Sequence, residues 1–257
     1  MDLSGYIQKA DSIVTNHFKQ YAATHHDVGV LLSGGIDSTL ITSYVTHYFS
    51  HAILFSMGTT HTKDRPFVEC ATHHFKKTYE WIALDETTIS DALPDVRSLL
   101  THAHVEATPM QLSLAVGYYL IFKRAAAMGV TAMVTGQGPD IVFGGYHKYK
   151  GMKKEELERE IVHDLALLET DKRRDGAMAK RFGIILLNPY LEHDFVDFSL
   201  TVPGDLKIHN GIEKYFMREW GKVRQLPDEI VHRPKKAFQY STGLQKVVQK
   251  VLQPIDK

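Results

Sequence analysis

The stretch Val28-Gly29-Val30-Leu31-Leu32-Ser33-Gly34-Gly35-Ile36-Asp37-Ser38 decides the fold. An apolar run, Val28 to Leu32, ends in small residues, and a second run, Thr39 to Val45, follows directly. That is the pattern of strand, tight turn and helix. The turn brings backbone N–H groups, the hydroxyls of Ser33 and Ser38, and the Asp37 carboxylate to a helix N-terminus. Such a terminus carries partial positive charge and unsatisfied donors, so phosphate binds there readily. Gly34 and Gly35 let the backbone approach an anion without a Cβ in between. Asp37 repels a bare phosphate. Its presence makes sense if it holds a Mg²⁺ that bridges phosphate oxygens. No Lys follows the glycines, which excludes a G-x-x-x-x-G-K-[ST] loop, and G-x-G-x-x-G is not matched. The plain alternative is a glycine-rich turn with a Ser/Asp helix cap.

Outward from this stretch, apolar positions at Leu3, Ile7, Ala10, Val14, Phe18 and Tyr21 predict an amphipathic helix over 3–24. Strands are expected at 28–32, 52–57, 78–84 and 130–135, and helices at 36–49, 64–77 and 85–100. Thr108-Pro109 opens a long helix to Met128, which Gly129 ends. This alternation predicts an α/β fold with a doubly wound, mostly parallel sheet. Ligands in such sheets sit outside the C-terminal ends of the strands. Ser33, Met57 and Gly136 all fall at those ends. After Tyr146 the chain reads as helical: 153–182 with a break near Asp175-Gly176, then 192–200, 212–223 and 244–252. One domain over 1–257 is expected, with a nucleotide-binding α/β part over about 1–150 and a helical part over about 151–257.

Composition narrows the classes. The 257 residues are 44% hydrophobic and 23% charged, and 30 Lys+Arg balance 30 Asp+Glu. A protein that grips a long nucleic acid usually carries a basic bias, so a tRNA substrate is disfavoured. Cys70 is the single cysteine, which excludes an intramolecular disulfide and two-cysteine sulfur transfer. The pairs His25-His26, His73-His74 and His102/His104 lack metal-ligand spacing. No apolar run approaches the ~20 residues of a membrane span, and Met1-Asp2-Leu3-Ser4 does not open a signal peptide. A cytoplasmic protein is expected.

A second glycine-rich loop, Thr135-Gly136-Gln137-Gly138-Pro139-Asp140-Ile141-Val142-Phe143-Gly144-Gly145-Tyr146, follows the fourth strand. Asp37 and Asp140 at adjacent strand ends could share Mg²⁺ bound to pyrophosphate. Alternatively, Gly144-Gly145-Tyr146 is only a turn and Asp140 a helix cap.

Ser33-Gly-Gly-Ile-Asp-Ser38 resembles the PP-loop of ATP pyrophosphatases. Together the two loops resemble the synthetase domain of asparagine synthetases and their relatives, which carry S-G-G-x-D-S and G-E-G-x-D-E-x-F-G-G-Y. Further matches in order are Thr108-Pro109, Arg174/Asp175 (less one spacer), Pro189-Tyr-Leu-Glu192 and Arg233-Pro-Lys235-Lys-Ala-Phe238. The resemblance implies an adenine-nucleotide alpha-hydrolase-like fold. It also implies an ATP- and Mg²⁺-dependent ligase that adenylates a carboxylate, releases pyrophosphate, and passes an amine or ammonia to the acyl-adenylate. By that carry-over Ser33, Gly34, Gly35, Asp37 and Ser38 hold pyrophosphate. Leu31, Met57 and Gly136 approach the adenosine through backbone groups, and Asp37 and Asp140 bind Mg²⁺. Lys235 contacts phosphate and stabilises charge in the reaction, whereas Lys236 reads as a surface lysine.

Departures from the family fall on the acceptor side. Gln137 stands where asparagine synthetases have Glu; it can orient a nucleophile but cannot serve as a general base. Ile141 replaces a second acidic residue, and Ile185 and Leu187 replace a Glu and an Arg. The second residue is Asp2, not the cysteine of a glutaminase domain, so a stand-alone form is expected. Nitrogen then comes from ammonia, from a separate glutaminase subunit, or from an amine on the substrate. The expected partner is a small-molecule carboxylate such as aspartate, a peptide or a β-amino acid, with homo-oligomerisation open. A rival reading is a nucleotide-binding partner subunit with little catalysis, and a third is tRNA modification.

Overall fold

Residues 1–252 are described in the computed structural model. The last five residues of the expected helical part, 253–257, lie outside the described residues. In chain order the first part runs α1 (Leu3–Thr24), β1 (Asp27–Leu31), α2 (Ile36–Tyr48), β2 (His51–Gly58), α3 (Arg65–Phe75), β3 (Tyr79–Ala83), α4 (Glu86–His102), α5 (Pro109–Ala127) and β4 (Ala132–Val134). Then follow α6 (Pro139–Val142), α7 (Lys154–Arg181), β5 (Ile185–Leu187), α8 (His193–Thr201), α9 (Gly204–Lys207), α10 (Tyr215–Val223), α11 (Asp228–Val231), α12 (Phe238–Ser241) and α13 (Leu244–Leu252).

The five strands form one sheet in the order β3-β2-β1-β4-β5. Every pairing is parallel. Successive strand residues point to opposite faces, and the sequence uses both. Val28, Val30, Leu32, Leu54, Ala132 and Val134 join the apolar layer of α1, α2, α8 and α10. Leu31, Phe55, Met57 and Met133 join that of α4, α5 and α13. Both faces are therefore covered, which is why β1 and β4 read as nearly continuous apolar runs. The α/β, doubly wound, parallel architecture expected from the sequence is observed.

The chain moves outward from β1 through β2 to β3, then returns to place β4 on the other side of β1. The order therefore reverses between β1 and β4. At such a switch point the two following loops diverge and leave a crevice. The loops after β1 and β4 are the two glycine-rich stretches.

Four local expectations are corrected. β5 was not foreseen, since three residues after a loop leave no periodic signal; β4 holds it in place by backbone pairing, Met133 opposite Leu186. α7 runs unbroken for 28 residues through Asp175-Gly176. There Asp171, Arg174, Asp175, Met178 and Ala179 are buried, and that packing outweighs the ~1 kcal/mol helix cost of one glycine. α10 begins at Tyr215, not Ile212, because Lys214 lies in the left-handed region at φ 55°. Asp140, in the stretch read as a glycine-rich loop, lies in the first turn of the short helix α6.

Candidate active site

A cleft with about 840 Å³ of open space lies at the switch point. Its walls include Leu31, Ser33, Gly35, Ile36, Asp37 and Ser38 from the β1–α2 segment, and Thr135, Gly136, Gln137 and Asp140 from the β4–α6 segment. Lys214, Arg218, Arg233, Lys235, Lys236 and Phe238 come from the C-terminal half.

The first loop is shaped by its small residues. Gly34 sits at φ +69°, and a Cβ there would meet the Phe67 and Val68 backbone at 2.8 Å. Ser38 Oγ accepts from the Ser33 N–H at 3.1 Å and lies 2.9 Å from Ser33 Oγ. The two hydroxyls thus brace the turn from inside. No side chain caps α2, so the N–H groups of its first turn are left for a ligand. Across the cleft, β4 ends tightly against this helix. A Cβ on Gly136 would lie 2.9 Å from the Ser38 nitrogen, so only glycine permits the approach.

Charge is concentrated where the loops meet. The buried Lys214 ammonium pairs with Asp37, and it lies 2.5 Å from Asp140 Oδ1. Lys235 Nζ sits 3.1 Å from Asp140 Oδ2. Burial opposes the charge on Asp140, but Lys214 and Lys235 together outweigh it and hold the carboxyl below its ordinary value. Burial likewise works against the Lys214 charge, but Asp140 and Asp37 raise its pKa, keeping the ammonium protonated. Burial pushes the Asp37 carboxyl up, against the pull of Lys214. The Oδ1 atom of Asp37 is buried without a hydrogen-bond partner. An orphaned acceptor beside a second carboxylate is the donor set a hard cation such as Mg²⁺ takes.

Behind the first loop, Arg233 Nη1 donates to the Ser33 carbonyl at 3.0 Å, and the guanidinium pairs with buried Asp64. Arg218 Nη2 donates to the Arg233 carbonyl at 3.0 Å. The C-terminal half is thereby fastened to the loop between β1 and α2. On the opposite wall, Gln137 Nε2 donates to Asp171 Oδ2 at 2.7 Å. Asp171 also accepts from Arg174 Nη1 at 2.6 Å, and Arg174 Nε donates to Asp175 at 2.7 Å. Arg174 is fully buried, and its charge is spent on these two carboxylates.

The family described as Asparagine synthase matches residues 14–165 and 150–255. This chain belongs to the asparagine synthase family. It is similar to the glutamine-hydrolyzing asparagine synthetase of Homo sapiens, at 31% identity over 88% of this chain and 42% of that protein. It is also similar to asparagine synthetase B of Escherichia coli, at 27% identity over 84% of this chain and 41% of that protein. The chain therefore spans less than half the length of these curated relatives. Among solved structures, the NMN synthetase of Francisella tularensis matches with TM-score 0.47 and 11% identity, covering 98% of this chain and 86% of that chain.

Nine of the eleven site residues expected from the sequence line the cleft of this asparagine synthase domain: Leu31, Ser33, Gly35, Asp37, Ser38, Gly136, Gln137, Asp140 and Lys235. Gly34 turns its Cα toward Phe67 and Val68 and shapes the loop from behind. Met57 is outside the lining as well; its side chain, 1% exposed, belongs to the core, and its backbone near the end of β2 is the part expected to approach the adenosine. Lys236, expected as a surface residue, lines the cleft.

Two residues were not singled out from the sequence. Lys214 lies in Ile212-Glu213-Lys214-Tyr215, a stretch read only as the start of a helix. Asp171 lies in the charged helix and carries no local signal. Only the fold sets each against a residue more than thirty positions away. Among the described residues, Glu160, His163 and Asp164 form a further group with metal-ligand spacing. The Lys148 ammonium already sits there, 2.8 Å from Glu160 and 2.6 Å from Asp164. No helix among the described residues is long and apolar enough to cross a membrane.

Proposed function

We propose that this asparagine synthase domain is an AMP-forming amide ligase. A carboxylate oxygen of the substrate attacks the α-phosphorus of ATP and pyrophosphate leaves. An amine or ammonia then attacks the acyl carbon, AMP leaves, and the nitrogen loses a proton. The observation that carries the reading is the convergence at one switch point. An uncapped helix N-terminus, the carboxylates of Asp37 and Asp140, and the ammonium of Lys235 all face one cleft.

Each group has a physical task. The α2 terminus with Ser33, Gly35 and Ser38 receives the pyrophosphate portion, as helix N-termini receive phosphates generally. Leu31 and Gly136 border the place for the adenosine. Asp37 and Asp140 would hold Mg²⁺, which supplies neutralising charge to the leaving pyrophosphate. Lys235 places a cation where negative charge develops. Removing one such fixed donor costs roughly 10²–10³ in rate. Gln137 cannot accept the proton of the amine. Its Nε2 donates to Asp171, and its Oε1, which accepts from the Tyr118 hydroxyl at 3.5 Å, keeps a second lone pair for a hydrogen bond from the attacking nitrogen.

The acceptor is a carboxylic acid, with aspartate one member of the class. The nitrogen comes as ammonia, from a glutaminase partner, or from an amine on the acid. The test is pyrophosphate release from ATP and Mg²⁺ with a panel of carboxylates, with and without ammonium. Release with at least one acid is expected, and silence across the panel counts against the ligase. Nucleotide binding by calorimetry without turnover would favour the rival, a nucleotide-binding partner subunit.

A further inference from the structure

Lys214 has a side chain 2% exposed, yet it ends on two carboxylates that face a cleft. Several features hold it there. The residue adopts φ 55°, a conformation that costs a non-glycine residue energy and persists only where surroundings enforce it. Its stem crosses the space over Gly145, where any Cβ would overlap Lys214 Cε and an Asp140 oxygen. The following helix begins at once, with the Arg218 N–H donating to the Lys214 carbonyl at 3.0 Å. The backbone, a glycine in the facing loop and two acids thus agree on one position for one ammonium.

That position has a consequence for the divalent cation, and it rests on the ligase reading above. Lys214 touches Asp37 Oδ2 and Asp140 Oδ1, on the same two carboxylates that would hold Mg²⁺, and leaves Asp37 Oδ1 unpartnered. Asp37 and Asp140 carry two negative charges, and Lys214 and Lys235 carry two positive ones. These four groups sum to zero, and the Arg218 guanidinium, which lines the same cleft and feels Asp37, adds a further positive charge. A bare divalent cation would bring uncompensated charge into a partly buried cluster, directly beside a buried ammonium, and that is unfavourable. A nucleotide changes the balance. Its phosphates add negative charge at the α2 terminus, adjacent to Asp37, and offer the ammonium new oxygens.

We infer that Lys214 is an internal counter-ion that occupies the cation position of the nucleotide-free site, so that the site takes up its metal only together with the nucleotide phosphates. The phosphates draw Lys214 off Asp37 and Asp140, and the metal replaces it. The residue thereby positions the carboxylates before binding and enforces joint entry of metal and nucleotide.

The test measures metal binding directly, with Mn²⁺ as a paramagnetic substitute and the free-ion EPR signal as readout. Wild type, Lys214→Met and Lys235→Met are each titrated alone and with α,β-methylene-ATP. Wild type alone should leave the Mn²⁺ signal undiminished, and the nucleotide analogue should tighten uptake at least tenfold. Lys214→Met should bind Mn²⁺ without nucleotide at least tenfold more tightly than wild type. Lys235→Met removes the same charge but contacts a single carboxylate, so its gain should be clearly smaller. Wild type that binds Mn²⁺ equally well with and without nucleotide overturns the inference. So does a Lys214→Met protein no tighter than wild type, or a Lys235→Met protein equal to it. If Lys214→Met does not fold, Lys214→Gln replaces it, and the wild-type titration alone remains decisive. Wild type that takes up no Mn²⁺ either alone or with the analogue, beside a Lys214→Met protein that binds Mn²⁺ without nucleotide, sinks the ligase reading and leaves the counter-ion standing.

Discussion

Asp37 does two things through one side chain: it faces the cleft and it balances a buried ammonium. Asp37→Ala should therefore abolish pyrophosphate release and also weaken the fold. Losing a hydrogen bond to a charged group costs about 1.5–3 kcal/mol, to be read from the urea midpoint. Wild-type activity in the variant would remove its metal role. Asp175 supports a separate expectation. Burial pushes its carboxyl up to about 6, even though Arg174 Nε lies 2.7 Å away. A carboxyl raised in the folded state binds a proton that the unfolded chain has already released. Wild type therefore loses stability from this group as pH rises from about 4 to 6. Asp175→Asn lacks that loss, so the difference between the variant and wild type should shift in favour of the variant across this window, by roughly 1–3 kcal/mol. Urea midpoints at half-unit pH steps measure it, and parallel curves would show an ordinary Asp175.

At the scale of elements, α7 is the instructive case. Gly176 predicts a break, and the helix continues through it. A Cβ at Gly176 would meet nothing within 4 Å. Gly176→Ala should therefore stabilise the protein by about 0.5–1 kcal/mol, since alanine loses less entropy in a helix than glycine. Thermal unfolding checks this, and a fall in midpoint would mean that the helix needs the glycine. The strands were legible for a related reason. β1 and β2 are buried on both faces, so nearly every residue had to be apolar, and the runs stood out. β5 is three residues long, with Ile185 53% exposed, and no run of that length stands above the background. Lys214 was missed because its φ 55° conformation interrupts a stretch whose apolar spacing suggests uninterrupted helix.

At the scale of the whole molecule, the cleft is a joint between halves. Arg233 and Arg218 tie the C-terminal segment to the Ser33 loop and to each other. Thr59 donates to the Thr242 carbonyl at 3.0 Å, and Thr62 Oγ1 to the Ser241 carbonyl at 2.9 Å. A nucleotide with Mg²⁺ seated at this joint binds the folded chain alone. At a concentration of 100 Kd that linkage contributes about 2.7 kcal/mol. The unfolding midpoint should rise by roughly 5–10 °C, at about 2–4 °C per kcal/mol for a chain of this length. Mg²⁺ without nucleotide should leave it unmoved. Differential scanning fluorimetry with each addition alone and together distinguishes these outcomes.

The sequence by itself determined what depends on neighbours along the chain. The apolar runs, the Ser33-to-Ser38 turn and the Thr108-Pro109 helix start are local patterns, and they sufficed for a parallel α/β sheet with a phosphate-type loop at a strand end. The tertiary structure alone decided what depends on contacts across the chain. Lys214 stands between Asp37 and Asp140 because three segments far apart in sequence close on one point. Gln137 meets Asp171 because α7 packs beside the β4 loop.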